Sequence, residues 1–92
     1  MPVLSPAQLT QAITELSGWQ LSEGTLVRTF SFSDFREAMS FVNSVAAIAE
    51  RAGHHPDIDI RYNKVKLALS SHDAGGITEK DSSLAAEIDK IL

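Results

Sequence analysis

Apolar residues first recur at helical spacing, with Leu9, Ala12, Ile13 and Leu16 three and four positions apart. Ser5, Pro6 and Gln8 ahead of them supply a capping hydroxyl, a residue preset for the first helical turn and a side chain that reaches back to the cap. Gly18 can take the left-handed conformation that closes such an element, so the pattern predicts a helix over about residues 6–17. From Trp19 to Phe32 the period shortens to two. Leu26, Arg28, Phe30 and Phe32 share one face, with Arg28 at its margin, and Val27, Thr29 and Ser31 share the other. Ser22-Glu23-Gly24-Thr25 interrupts this stretch as a tight turn, which predicts a hairpin.

Helical spacing returns after Ser33, read as a cap, in Phe35, Ala38, Met39, Val42, Val45, Ala46, Ala49 and Ala52. Phe41 and Ile48 widen that stripe, so this helix is expected to touch both a sheet and another helix or subunit before Gly53 ends it. Ile58, Ile60 and Tyr62 then alternate with Asp59 and Arg61, Asn63-Lys64 reads as a turn, and Val65, Leu67 and Leu69 continue a second hairpin. After a flexible Asp73-Ala74-Gly75-Gly76 stretch, Thr78 and Asp81 occupy capping positions ahead of Leu84, Ala85, Ile88, Ile91 and Leu92. The order helix, hairpin, helix, hairpin, helix predicts a two-layer α+β fold: a four-stranded antiparallel sheet with three helices on one face. The other face and the sheet edges are left for contacts between copies.

At 92 residues the chain fits one domain, residues 1–92, without room for a separate nucleotide-binding unit. Such a length gives a modest core, which self-association would supplement. Twelve acidic against eight basic side chains, net −4, oppose direct binding to a phosphate backbone. The absence of cysteine removes disulfides, thiolate catalysis and Cys-type metal sites. The longest apolar run, Val45 to Ala49, is five residues and spans no bilayer, and Met1 to Pro6 lacks the basic and apolar regions of a secretory signal. A cytoplasmic protein without membrane attachment is the expectation.

All three histidines fall within nineteen residues: His54 and His55 at a helix-to-strand junction and His72 after the last strand. Pro56 pushes His55 into an extended conformation, so the two adjacent imidazoles should diverge. The antiparallel hairpin returns His72 to the same end of the sheet, in phase with Ser70, Ala68 and Lys66 and away from the apolar set. A free imidazole titrates at about 6.5, so residues of this type can give or take a proton near neutrality. Zinc is the rival reading, with His54, His55 and His72 joined by Asp57 or Asp73, but no HExxH pair exists and diverging neighbours do not converge on one ion. Glu50, four residues before His54, can support a neighbouring imidazole. Gly75-Gly76 lacks the lysine of a phosphate loop, and Glu79 and Asp81 read as acids placed at a helix start. The aromatic residues occupy mostly core-compatible positions rather than a base-stacking platform.

Three segments together resemble the pterin-4a-carbinolamine dehydratases: Ala49-Glu50-Arg51-Ala52-Gly53-His54-His55-Pro56-Asp57, Tyr62-Asn63-Lys64-Val65, and the run from Ser70-Ser71-His72-Asp73 through Asp81. The likeness is strongest over 49–81, and the flanking element order extends it to nearly the whole chain. It implies dehydration of a 4a-hydroxytetrahydropterin to a quinonoid dihydropterin, in recycling of tetrahydrobiopterin, with no metal or organic cofactor. It also implies a small-molecule reduced pterin as substrate and assembly as a homodimer or homotetramer. Residue by residue, His54 and His72 match the family's acid/base histidines and His55 the histidine associated mainly with substrate. Glu50 matches the acidic position, and Gly53, Ser70, Ser71 and Asp73 match positions lining the pterin site. The chain departs from the pattern at Ile58, where an aromatic is frequent, at Arg51 in place of lysine, and at Gly53 in place of a polar residue. Because some members bind a homeodomain transcription factor, a non-catalytic dimerisation or coactivator module is the competing reading.

Overall fold

A computed structural model describes residues 2–92. Ser5 caps α1 (Pro6–Glu15) through a complete capping box with Gln8. Strands β1 (Gln20–Ser22) and β2 (Thr25–Ser31) form the first hairpin, followed by α2 (Phe35–Ala52). Strands β3 (Asp57–Arg61) and β4 (Lys64–Leu69) form the second hairpin, and a 3-10 turn over His72–Ala74 leads to α3 (Glu79–Asp89). Pairing is antiparallel throughout in the order β1-β2-β4-β3, so the two hairpins join through β2 and β4, with Leu26 opposite Leu69 and Phe30 opposite Val65. This is the expected α+β arrangement.

Directly opposed residues share a face, which makes the register decide what is buried. Leu26, Phe30, Val65, Leu67 and Leu69 meet Ala38, Phe41, Val45 and Ile48 of α2 and Leu84, Ala85 and Ile88 of α3 in one core. The helix α2 touches both β4 and α3, as its wide apolar arc requires. The opposite sheet face carries Thr29, Lys66 and Asp59 in one row and Ser31, Lys64 and Arg61 in the next, all exposed. Arg28 sits at the core margin, its guanidinium 4.6 Å from the Phe30 ring centre and 2.9 Å from Asp89, which also accepts from the buried Trp19 indole at 2.9 Å.

Several boundaries differ from the sequence reading. Asp34, not Ser33, caps α2, accepting from the Glu37 N–H, while Ser33 bonds the Glu37 side chain through both its N–H and its hydroxyl. Tyr62 leaves the strand and turns the hairpin together with Asn63: its φ of 53° puts it in the left-handed region, and its ring is exposed. Phe35 is exposed as well, so two of the aromatics fall outside the core. β4 ends at Leu69, and a closed turn follows it before α3. The Ser71 carbonyl accepts from the N–H groups of Ala74, Gly75 and Gly76, and the Ser71 N–H donates to Gly76 at 2.8 Å. Val3 lies over this turn, where a Cβ on Gly76 would stand 3.2 Å from its methyl, and the Leu4 N–H donates to Ile77 at 2.8 Å. No helix among the described residues is long and apolar enough to cross a membrane.

Candidate active site

The end of α2 delivers the two adjacent histidines. Gly53 adopts a left-handed φ of 65° that a β-carbon disfavours, and its N–H donates to Ala49 and Glu50. The chain thereby turns out of the helix, with the His54 N–H closing on the Ala49 carbonyl at 3.2 Å. Space is open beside Gly53, so backbone conformation rather than crowding favours glycine at this position. His72 arrives from the other hairpin, on the turn that Ser71 and Gly76 close.

One cleft of about 230 Å³ is lined by Gly53, His54, His55, Ser70, Ser71, His72 and Asp73. Its size falls below the ~300–1,000 Å³ of most drug-sized ligand sites, which suits a small ring system rather than a dinucleotide. Residues from 53–55 and 70–73, separated in the chain by a complete hairpin, thus meet around one space. Glu50 does not line it but reaches it through His55, whose Nε2 lies 2.7 Å from Glu50 Oε1 in an exposed pair. The carboxylate therefore supports His55 rather than His54.

His54 turns the other way, as the proline junction predicts. Its Nε2 lies 2.5 Å from Oδ1 of Asp81, which is completely buried. Oδ2 of the same carboxyl accepts from the Ser71 hydroxyl at 2.8 Å and from the Thr78 N–H at 2.9 Å. The Thr78 and Ser71 hydroxyls are 2.8 Å apart, which extends the network to the cap of α3. Among the described residues no fully buried side-chain nitrogen or oxygen lacks a partner. Asp81 does close the capping box of α3, as its position suggests. The local pattern hides its second task, because the bond to His54 spans 27 residues of sequence.

His72 is exposed, and among the described residues its side chain makes no hydrogen bond. The three imidazoles are therefore unequal: His54 is anchored inward, His55 is tethered at the surface, and His72 is free at the rim. No group of three or more histidine or acidic side chains among the described residues is arranged to hold a metal ion. A further cavity of about 270 Å³ reaches His54 from between α2 and α3, but its other lining residues include no second imidazole to share proton exchange.

Comparison with known proteins finds one family over nearly the whole chain. The family model described as pterin 4 alpha carbinolamine dehydratase matches residues 2–91. A Chloroflexus aurantiacus protein provisionally named a pterin-4-alpha-carbinolamine dehydratase is 54% identical over 92 residues, covering 100% of this chain and 99% of its own. An Acidobacterium capsulatum protein of the same provisional name is 53% identical over 92 residues, with 100% of each covered. Among solved structures, a transcriptional coactivator/pterin dehydratase from Brucella melitensis superimposes with a TM-score of 0.93 at 33% identity, over 97% of both chains. A pterin dehydratase-like protein described as a RuBisCO assembly factor in the alpha-carboxysome gives a TM-score of 0.64 at 26% identity, over 79% of this chain and 84% of that one. With its length matched end to end and its histidine-bearing segments brought to one cleft, the chain belongs to the pterin 4 alpha carbinolamine dehydratase family.

Proposed function

We propose that the protein, acting as one domain over residues 1–92, dehydrates 4a-hydroxytetrahydropterin to quinonoid dihydropterin in tetrahydrobiopterin recycling. The observation that carries this reading is the meeting of His54, His55 and His72 in one small cleft. Loss of water from a carbinolamine needs a proton delivered to the departing hydroxyl and a proton removed from the adjacent ring nitrogen. A carbon–nitrogen double bond forms as the carbon–oxygen bond breaks, and the atoms balance without an oxidant or reductant. His54 and His72 are the proton carriers, and His55, held by Glu50, completes the catalytic set chiefly by holding the ring. Gly53, Ser70, Ser71 and Asp73 form the walls against which a flat pterin rests. No metal or organic cofactor is called for by this chemistry.

Positioned acid–base catalysis contributes about 10²–10⁴-fold, or ~3–5 kcal/mol of barrier. Each of His54→Ala and His72→Ala is expected to slow turnover within that range, read as the absorbance decay of authentic 4a-hydroxytetrahydropterin. Decay by the unaltered protein at the spontaneous rate would reject the assignment. Assembly as a homodimer or homotetramer and a cytoplasmic setting belong to the same reading. Exposed Ile58 on the edge strand β3 and exposed Phe35 at the start of α2 supply apolar surface for such contacts.

A second reading, a dimerisation or coactivator module, is favoured by the Brucella melitensis structure's description as a transcriptional coactivator/pterin dehydratase. It predicts partner binding that survives simultaneous loss of His54 and His72.

A further inference from the structure

We infer that Asp81 is a positioning residue: it holds the Nε2–H of His54, so that His54 exchanges protons with substrate through Nδ1. The inference rests on the dehydratase reading for the word substrate, but its structural half stands apart from it. Asp81 is fully buried, and Oδ2 already receives the Ser71 hydroxyl and the Thr78 N–H. The Thr78 hydroxyl, 2.8 Å from Ser71 Oγ, completes a chain of donors that points toward the carboxyl, so the carboxyl accepts on every side. The one remaining oxygen, Oδ1, faces Nε2 of His54 and takes its N–H.

A neutral imidazole carries a single ring proton, and which nitrogen keeps it is set by the hydrogen bonds that the two nitrogens make. With Nε2–H committed to Asp81, the lone pair lies on Nδ1, for which no protein partner exists among the described residues. In either direction of transfer the ring then works at one atom. The neutral form accepts a proton at Nδ1, and the cation releases it from Nδ1, while Nε2–H stays on the carboxyl. His72 has no such anchor, so the two proton carriers differ in how their geometry is fixed. Ser71 and Thr78 brace the carboxyl, which gives the cap of α3 a direct connection to the cleft.

The test is the tautomer of His54, read from long-range ¹⁵N–¹H NMR correlations of the full chain, with His55→Ala and His72→Ala spectra assigning the three rings. The expected result is an H-bearing Nε2 and a lone-pair Nδ1. An Nδ1–H ring in the unaltered protein would overturn the inference. In Asp81→Asn the amide oxygen can replace Oδ2 toward Ser71 and Thr78 while the NH₂ group faces His54. The ring should then switch to Nδ1–H, and kcat should fall about tenfold or more with KM held. An Asp81→Asn protein that keeps both the Nε2–H tautomer and full kcat would also overturn it. Should that variant fail to fold, the spectrum of the unaltered protein decides alone. Should the unaltered protein fail to dehydrate the pterin, the activity assignment falls while the tautomer result still judges Asp81.

Discussion

His54 and His55 are neighbours in the chain, and each sets its Nε2 against a carboxyl oxygen, at 2.5 Å for Asp81 and 2.7 Å for Glu50. Their surroundings are opposite. In the inner pair the side chains are 14% and 0% exposed, whereas in the outer pair they are 63% and 77% exposed. An ion pair or hydrogen bond in water competes with solvent and contributes ~0–1 kcal/mol, while a buried acceptor serving several donors cannot be removed without stranding them. The same two chemical groups therefore form a structural and orienting hub in one case and an adjustable tether in the other. The difference arises at a single residue step after Gly53, where consecutive imidazoles of one cleft turn their Nε2 atoms to different carboxylates, one on α3 and one on α2.

The sharpest way to break this comparison is to remove the inner carboxyl. Asp81→Ala leaves the Thr78 N–H, the Ser71 hydroxyl and the His54 N–H without their acceptor in a buried setting. Stranding of that kind costs about 3–5 kcal/mol. Urea unfolding followed by tryptophan fluorescence should show that loss. A change below ~1 kcal/mol would mean that the carboxyl is no hub and that the two pairs are energetically alike.

How much of this was legible beforehand depended on the range of each signal. The five main elements were readable because Leu26-to-Phe32 alternation and the Ala38, Val42, Val45 and Ala49 spacing inside α2 record burial in local period, although Phe35, Ala46 and Ala52 of the expected stripe are exposed. Turn residues were less so. Tyr62 continues the alternation of Ile58 and Ile60, and nothing in side-chain pattern says that its backbone crosses to φ 53°. Ser33 and Asp34 are both able to cap a helix, and the choice between them is settled by which side chain faces the Glu37 N–H. At the site, the three histidines could be gathered because a hairpin returns its ends to one place. Asp81 could not be placed with them, because a capping box explains its residue type completely, and the contact to His54 depends on how α3 docks against the end of α2. A buried acid that already satisfies a local rule is the kind of site residue that sequence patterns conceal.

Asp89 provides a control for the stability half of the argument. It lies eight residues beyond Asp81 on α3, about 12 Å along the axis, and it too gathers donors: the Trp19 indole at 2.9 Å and Arg28 at 2.9 Å. Asp89→Ala strands a buried indole N–H and should cost about 1–3 kcal/mol. Well below the melting transition, kcat should be unchanged, because no donor to Asp89 belongs to the cleft. If kcat fell in step with stability in this variant, the activity losses expected of Asp81 variants would reflect loosening of α3 rather than control of His54.

The smallest effect is expected at the outer pair. In Glu50→Ala an exposed imidazole loses an exposed partner, and stability should move by less than about 0.5 kcal/mol. Within the dehydratase reading the ring of His55 becomes free to rotate away from the pterin, so KM should rise a few-fold while kcat holds, since proton transfer belongs to other residues. A fall in kcat of Glu50→Ala as large as that of His54→Ala would place the outer pair in the proton-transfer step itself and erase the division between the two histidines.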